Sequence, residues 1–444
     1  MSPYKNFENW GGSLSAFLFF SLSLIVPSGY SYGAAALALL ALAGCLQKGS
    51  HGVASLDTKI LLASLCLTGM LWTAPFDRAW SISGLGIGAK YAFAALTLWA
   101  LSQRVLSPHA VVWGVAAGAV GALGIAAYQY LVLHWVKAQG FTNAIEYGGI
   151  AMYMGIAAWA MAMLGRWRWH QIAALGICGA CGVLASLLSE SRGSWVTVPL
   201  LLAAIWLMAW RNGYRRIASA AIAAMLIGGA ALVLPAYKKF EQRADLAVQE
   251  ARHYLAEPQK YAETSIGQRL EQWRLAVDLI EERPVAGWGL DGYPKAKQAM
   301  VDKGAAHPSV MQYGHAHNEI LDMWVKRGLI GLLILLFFYA APLYVFWPTP
   351  RRLARVDTTL QPRLLALRAA AALLPLAYFG FGWTQVFFAH NSGQMFYIFS
   401  LAIFWGAICY LEKTEANTWV VSGHGEVQHK ARPVYPNGLR CPLN

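Results

Sequence analysis

Charged side chains are scarce in this sequence. Asp, Glu, Lys and Arg make up 13% of its 444 residues, whereas 57% of the residues are hydrophobic. Soluble globular domains carry about 25% charged residues. The deficit excludes a water-soluble globular fold and predicts a polytopic membrane protein. The N-terminus also lacks a basic n-region and a clear small-residue cleavage site, so we expect the first helix to remain as an anchor.

Cysteine is rare as well, with six residues in the chain. Cys178 and Cys181 form a C-x-x-C pair, but the pair lies inside an apolar span without nearby histidines. Packing is therefore favoured over metal binding or redox chemistry. The other cysteines of the apolar spans are read in the same way: Cys45, Cys66 and Cys409.

Apolar runs near the length of a bilayer-crossing helix, about 20 residues, recur along the chain. They predict about twelve spans with uncertain ends: 13–28, 33–47, 58–75, 88–103, 108–134, 148–165, 170–188, 194–211, 216–236, 328–346, 365–386 and 393–411. Gly and Ala fill many of these runs, which suits close helix packing in lipid.

The Lys and Arg residues predict which loops face the cytoplasm. One set of alternate loops is rich in them, and the opposite set is sparse. The rich set contains Lys48, Lys59, Arg104, Arg166, Arg168, Arg211, Arg215, Arg216, Arg351, Arg352, Arg355 and Arg363. Both termini are then cytoplasmic, and the net charge of +13 is largely this bias. The basic residues are dispersed among helix ends, which argues against nucleic-acid binding.

With this topology, residues 237–318 form one long loop on the outer side. Loops beyond about 15 residues in compact domains are usually functional or disordered. This loop is expected to be folded, because Ile266, Leu270, Trp273, Val277 and Ile280 recur at helical spacing. The predicted organisation is nine spans in 1–236, a helical loop domain in 237–318, three spans in 319–411 and a polar cytoplasmic tail in 412–444.

Three positions on the outer side are candidates for chemistry: Arg192, Arg269 and His317. Taken singly, each has a simpler explanation: a local Glu190–Arg192 pair, surface solvation of Arg269, and an incidental loop histidine. Taken together, two arginines could bind a diphosphate group through bidentate hydrogen bonds without a metal. A histidine beside them could accept a proton from a hydroxyl. Asn318 is a plausible N-cap for the following helix.

The stretch HAHNEILDMWVKRGLIG at 315–331 resembles the signature of the bacterial O-antigen ligase and O-antigen polymerase superfamily. In ligases that signature is a histidine, then Asn, Ser or Gln, nine residues, Gly, two residues, and a small or aromatic residue; His317, Asn318, Gly328 and Gly331 match it. SRG at 191–193 resembles the outer-side arginine motif of the superfamily. GQRLEQWRLAVDLIEERPVAGWGLDGYP resembles its second arginine helix, which is followed by a P-x-x-G-x-G turn.

The resemblance implies an all-α fold similar to the GT-C class of lipid-dependent glycosyltransferases. It implies transfer of a glycan from undecaprenyl diphosphate, at the periplasmic face of the inner membrane, to a sugar hydroxyl of lipid A–core. The family needs neither nucleotide nor divalent cation, so no cofactor is expected. The sequence agrees, because no P-loop appears and no D-x-D motif lies on the outer loops.

By the same resemblance, Arg192 and Arg269 would neutralise the departing diphosphate. His317 would orient or deprotonate the acceptor hydroxyl for an inverting attack. Further candidates for substrate binding are His315, Asn318, Arg274, Glu271 and His390, the last followed by Asn391. Asp322 and Lys326, four residues apart on one helix, are expected to form a structural pair.

Alternatives and one geometric question remain open at this stage. An O-antigen polymerase or a protein O-oligosaccharyltransferase would share the arginines and the histidine motif. A transporter is disfavoured, because the two halves show no repeat and the polar residues gather at one face. His317 lies eleven residues before Gly328, or roughly 16 Å along a helix. Either the helix tilts at Gly328 or the cavity rises into the outer domain.

Overall fold

The computed structural model describes residues 3–45, 53–73, 82–216, 218–223 and 237–421. Within these ranges every regular element is a helix. The membrane helices that precede the long loop are α1 (Pro3–Leu22), α2 (Gly29–Cys45), α3 (Leu56–Thr73), α4 (Ile82–Gln103), α5 (Pro108–Ala127), α6 (Ala144–Leu164), α7 (Trp169–Leu188) and α8 (Arg192–Arg211). A π-helical turn, Tyr128–Val132, extends α5.

The long loop is helical, as predicted. It contains α9 (Tyr237–Ala256), α10 (Pro258–Tyr261), α11 (Ser265–Glu282), α12 (Gly289–Asp302) and a 3-10 turn, Pro308–Gln312. The chain then continues through α13 (Glu319–Phe346), α14 (Pro350–Leu353), α15 (Gln361–Phe381), a 3-10 turn (Phe387–Ala389) and α16 (Asn391–Val421).

The expected polytopic membrane fold is confirmed. In the described ranges nine helices are long and apolar enough to cross a bilayer, and α1 and α2 contribute shorter apolar stretches. These elements account for eleven of the twelve predicted spans. The remaining one, 216–236, lies mostly outside the described residues.

Three helices form the centre of the membrane bundle. In α6, α15 and α16, 89%, 83% and 94% of the spanning residues are buried. Small residues allow the close approach of α6 to α7: a Cβ on Gly155 would lie 2.7 Å from the carbonyl oxygen of Gly179. The Gly- and Ala-rich composition therefore serves helix–helix packing.

The helices of the loop have a small core of their own. It contains Leu275, Leu279, Ile280, Tyr293, Ala296, Ala306, Val310 and Val325. Because Val325 belongs to α13, this core continues past residue 318 into the first turns of that helix. This hydrophobic core packs the loop helices against the start of the membrane span.

The apolar stripe predicted for α11 is only partly correct. Ile280 is buried, but Val277 is 42% exposed. The buried face instead contains Gly267, Glu271, Gln272, Leu275, Ala276, Leu279 and Ile280. Sequence periodicity did not predict this face, because Glu271 and Gln272 on it are polar and form hydrogen bonds to the rest of the domain.

The helix geometry at Gly328 resolves the question about the height of His317. Gly328 has φ 65° and ψ −165°, so α13 is broken there. The Pro284–Gly287 turn fills the break: the amide of Leu329 donates to the carbonyl of Pro284 at 3.0 Å. A Cβ on Gly328 would lie 1.9 Å from the carbonyl oxygen of Val285. The helix therefore changes direction between the motif and the hydrocarbon span.

Candidate active site

The backbone around His317 has a local conformation that its sequence explains. His317 has φ 52°, a left-handed conformation that non-glycine residues adopt rarely. Asn318 then caps α13, since its Oδ1 accepts hydrogen bonds from the amides of Ile320 and Leu321, both at 3.0 Å. The predicted N-cap is confirmed. His317 thus stands directly before the N-cap of the helix.

Two buried charged residues hold the segment that leads to His317. Asp322 accepts a hydrogen bond from the amide of Ala316 at 2.9 Å, and it pairs with Lys326 at 2.8 Å. The structural pair predicted from the sequence is therefore confirmed. On the other side, Nζ of Lys297 donates to the carbonyls of Val310 (2.8 Å) and Tyr313 (2.5 Å).

The connection between α15 and α16, residues 382–390, lies directly against the start of α13. The amide of Glu319 donates to the carbonyl of Gly382 at 2.7 Å. Nδ2 of Asn318 donates to the carbonyl of Trp383 at 3.3 Å, and the amide of Phe388 donates to Oε2 of Glu319 at 3.1 Å. Asn318 and Glu319 thus hold this connection against the start of α13 through hydrogen bonds.

This connection contributes Gln385, which bridges two histidines. Nδ1 of His317 lies 3.1 Å from Oε1 of Gln385, and Nε2 of Gln385 lies 3.3 Å from Nε2 of His390. In this arrangement Nδ1 of His317 carries the hydrogen and donates it to Gln385. The Nε2 atom is then the nitrogen whose lone pair can accept a proton.

The rings of His315 and Tyr313 pack against the ring of His317. The ring of His315 lies 4.4 Å from that of His317, and the ring of Tyr313 lies 4.5 Å away, both edge to face. The ring of His390 is 6.1 Å from that of His315. In the described part of the chain, no three His, Cys, Asp or Glu side chains form a group that could hold a metal ion.

The surroundings keep both histidines of the motif neutral near pH 7. Burial lowers the pKa of His317 to about 4; the hydrogen bond to Gln385 opposes this shift, and the positive charge of Arg269 adds to it. Burial, together with the neighbouring His317, lowers the pKa of His315 to about 4. Burial also lowers the pKa of His390. A neutral imidazole can act as a proton acceptor.

Arg192 is brought to this site by a contact across the bundle. It is exposed and begins α8, directly after a turn in which Glu190 has φ 53°. The next residue, Gly193, packs on the 382–390 connection: a Cβ there would lie 2.1 Å from Oγ1 of Thr384. Thr384 precedes Gln385, so the S-R-G motif and the histidine motif meet at the same connection.

Arg269 approaches the site from α11. Its side chain is half-buried, and its Nε atom is buried without a hydrogen-bond partner. Burial and then the positive charge of Arg192 lower the pKa of Arg269, whereas Tyr313 and Glu250 oppose the shift. Arg269 therefore lies within electrostatic range of both Arg192 and His317. An anion between the arginines would relieve their repulsion and use the free N–H group.

Glu271 and Arg274 are placed differently from the other candidates. Glu271 is 1% exposed, and its carboxylate accepts hydrogen bonds from Arg274 at 2.7 Å, from the amide of His307 at 2.9 Å and from the hydroxyl of Tyr254. These hydrogen bonds outweigh burial, which alone would raise the pKa of Glu271, so that its pKa is lowered. The Glu271–Arg274 pair thus connects three segments of the loop domain. The other predicted site residues form a second group with His317: Arg192, Arg269, His315, Asn318 and His390.

Three residues of this region were missed by sequence reasoning: Gln385, Tyr313 and Lys297. Gln385 is a polar residue in the short TQVFFAHN segment between two apolar spans, which is a weak signal. Lys297 is 1% exposed, and its burial in a polar helix has no signature in the sequence. Tyr313 lies two residues before His315 and could have been included with the motif.

The comparisons with known proteins agree with the motifs. Residues 177–336 match the sequence model of the O-antigen ligase family. An uncharacterized protein of Haemophilus influenzae is 23% identical over 394 residues, which cover 87% of this chain and 96% of that protein. The O-antigen ligase of Escherichia coli K12 is 22% identical over 174 residues, or 38% of this chain and 41% of that protein.

The matched region contains Arg192, Arg269 and His317, and with them the motifs from which the resemblance was inferred. The resemblance is thereby confirmed, and it indicates a transferase-type enzyme of the O-antigen ligase or polymerase kind. Residues 177–336 of this multi-pass membrane protein are thus similar to the O-antigen ligase family.

Proposed function

We propose that the protein is an O-antigen ligase of the bacterial inner membrane. It transfers O-polysaccharide from undecaprenyl diphosphate to a sugar hydroxyl of lipid A–core, with its site facing the periplasm. The observation that carries the proposal is that Arg269 lies within electrostatic range of both Arg192 and the buried His317, at one end of the helix bundle. The arginines would stabilise an anionic leaving group, and the histidine would accept the proton of a hydroxyl nucleophile. The transfer reaction needs both groups side by side.

Arg192 and Arg269 bind the diphosphate. Their guanidinium groups offer paired N–H donors to phosphate oxygens and keep their charge at any physiological pH. As the bond between the anomeric carbon and the diphosphate oxygen breaks, negative charge grows on that oxygen. Fixed positive groups stabilise this charge more in the transition state than in the bound donor, which lowers the barrier.

His317 acts on the acceptor. Its Nε2 accepts the hydroxyl proton while the hydroxyl oxygen forms a bond to the anomeric carbon, on the side opposite to the diphosphate. The configuration at that carbon inverts, the diphosphate carries away the bonding electron pair, and the proton stays on the imidazole until solvent removes it. Gln385 stabilises the imidazolium by accepting the hydrogen bond from Nδ1.

Reconstitution tests this proposal. Purified protein in proteoliposomes is incubated with lipid A–core and an undecaprenyl diphosphate-linked glycan, without nucleotide and with a chelator present. We expect a ladder of glycan on lipid A–core. Growth of the lipid-linked glycan itself would indicate a polymerase, and glycan on a Ser- or Thr-containing protein acceptor would indicate a protein O-oligosaccharyltransferase. Either result in place of the ladder would contradict the ligase assignment.

A further inference from the structure

A second polar site lies at the end of the bundle opposite to His317. The directions of α15 and α6 establish the position of this site. α15 ends at Phe381, beside the 382–390 connection, and begins at Gln361. α6 begins next to the Ser191 turn, because Oγ of Ser191 donates to the carbonyl of Ile145 at 3.4 Å, and it ends at Leu164. The segments around Arg363 and Trp167 are therefore on the far side from the candidate active site.

At this end the side chains enclose a cavity of about 270 Å³. Its polar part contains Arg363, His109 and Ser107, and Trp167 and Tyr410 form aromatic walls. The guanidinium of Arg363 lies 5.9 Å from the Trp167 ring centroid, and the His109 ring meets the same indole edge-on at 5.9 Å. The described lining contains no Asp or Glu.

The cavity is therefore positively charged, because its described lining contains Arg363 and no acidic residue that would neutralise it. Arg363 interacts with the face of Trp167, which positions the guanidinium without neutralising it. The exposed Arg166 and Arg168 flank Trp167 but do not line the cavity. An anion with several oxygen acceptors, such as a phosphate, would complement the guanidinium of Arg363.

An apolar groove adjoins the cavity. It measures about 410 Å³ and is lined by Trp10, Leu14, Phe17 and Ala110, together with Val105 and Ser107, which also line the cavity. A cationic pocket that opens into an apolar groove at the end of membrane helices has the two-part shape of a phospholipid. Basic pockets between membrane helices on the cytoplasmic side are suited to anionic headgroups.

We propose that this cavity binds the phosphate headgroup of an anionic glycerophospholipid, such as phosphatidylglycerol, with one acyl chain along the adjoining groove. The lipid belongs to the leaflet opposite to the proposed active site. It would contact α4–α5, α6–α7 and α15 together, and so join three parts of the bundle. The proposal does not depend on the identity of the glycan donor or acceptor.

Native mass spectrometry of the detergent-purified full chain tests the proposal. The added probes are phosphatidylglycerol, phosphatidylcholine of the same acyl chains, and inorganic phosphate. We expect one saturable phosphatidylglycerol adduct, no saturable phosphatidylcholine adduct and no competition by phosphate. Arg363→Ala should weaken phosphatidylglycerol binding about tenfold, or roughly 1.4 kcal/mol. Arg168→Ala, which removes an exposed cation outside the lining, should change it less than about twofold.

A second variant keeps the test decisive if Arg363→Ala does not fold. Val105 is 38% exposed and lies where cavity and groove meet, so Val105→Trp obstructs the passage and leaves the charge unchanged. It should also weaken the phosphatidylglycerol adduct. Three results would overturn the proposal: wild-type binding by Val105→Trp, equal losses in Arg363→Ala and Arg168→Ala, or displacement of the lipid by inorganic phosphate.

Discussion

Nδ1 of His317 donates to Oε1 of Gln385 at 3.1 Å, although 68 positions separate the two residues. This hydrogen bond selects the imidazole tautomer whose Nε2 can accept a proton. The same amide contacts His390, and its neighbour Thr384 packs on Gly193 beside Arg192. The 382–390 connection therefore joins the histidine motif to the first arginine motif.

Substitution of His317 should abolish transfer without affecting donor binding. Loss of the proton acceptor in His317→Ala is expected to lower kcat by roughly 10²–10⁴-fold. Donor binding, measured by co-purification of the lipid-linked glycan, should persist because the arginines remain. His315→Ala should lower kcat far less, because the N-cap residue Asn318 directly follows His317 and not His315. Near-normal kcat in His317→Ala would contradict the role assigned to this imidazole.

The pH profile should reflect the unusual environment of His317. Since its pKa is lowered to about 4, the ring is neutral above that pH and becomes protonated, and inactive as a base, below it. The acid limb of kcat should therefore lie near pH 4, well below the ordinary histidine value of about 6.5. Initial rates in proteoliposomes across the acid range measure this limb. A limb near the ordinary value would show that the imidazole is solvated.

Changes at Gln385 should move that limb in a defined direction. Gln385→Glu places a carboxylate beside Nδ1–H, which favours the imidazolium and should raise the limb by about 1–3 pH units. Gln385→Leu removes the acceptor and should lower kcat, with little change in donor KM. The control is Gln298→Leu, which removes an amide that bonds to Asp302 on the exposed face of α12. An unchanged limb in Gln385→Glu would disprove the coupling.

The arginines are tested by substitutions that keep their charge. Arg192→Lys and Arg269→Lys lose the planar fork, and each charged hydrogen bond that is lost costs about 1.5–3 kcal/mol. We therefore expect kcat/KM for the donor to fall roughly 10–100-fold in each variant. Arg283→Lys is a matched control, because Arg283 stacks on Trp288 at 4.1 Å in the loop domain. Full activity in both lysine variants would exclude bidentate phosphate binding.

Glu271 should matter for stability more than for catalysis. Glu271→Ala leaves the Tyr254 hydroxyl, the His307 amide and Arg274 without their shared acceptor, which should cost about 1–3 kcal/mol in the free energy of unfolding. Thermal unfolding followed by tryptophan fluorescence measures this loss, with Glu281→Ala, an exposed residue of the same helix, as the control. An increased KM at unchanged stability would instead support substrate binding by Glu271.

Gly328 should not tolerate a side chain. Gly328→Ala forces a Cβ into a backbone with φ 65°, at 1.9 Å from the carbonyl oxygen of Val285. The strained conformation alone costs about 1–3 kcal/mol, and the clash must displace the Pro284 turn. We expect reduced folded yield by size-exclusion chromatography. Gly292→Ala, whose Cβ would have its nearest neighbour at 3.9 Å, should behave like the wild type.

Several features of this protein were determined by the sequence alone. Apolar runs of bilayer length predicted the membrane helices, because lipid requires long uncharged segments whose backbone hydrogen bonds are satisfied internally. The Asn318 cap and the Asp322–Lys326 pair were predictable too, since both depend on residues within one helical turn or its start. The joint action of Arg192, Arg269 and His317 on one substrate stays a prediction, which was made from their chemistry and from the resemblance of their motifs.

Only the tertiary structure decided the features that depend on distant segments. Gln385 becomes the partner of His317 because α15 ends against the start of α13, and no local pattern encodes that contact. Glu271 pairs with Arg274 inside the loop domain, a contact that periodicity did not predict because it does not recognise a polar residue on a buried helix face. Its role in substrate binding stays a prediction. The break at Gly328 likewise needs the Val285 carbonyl, which packing delivers from another helix connection. Local physics sets helices and caps, whereas the packing of distant segments sets which side chains meet.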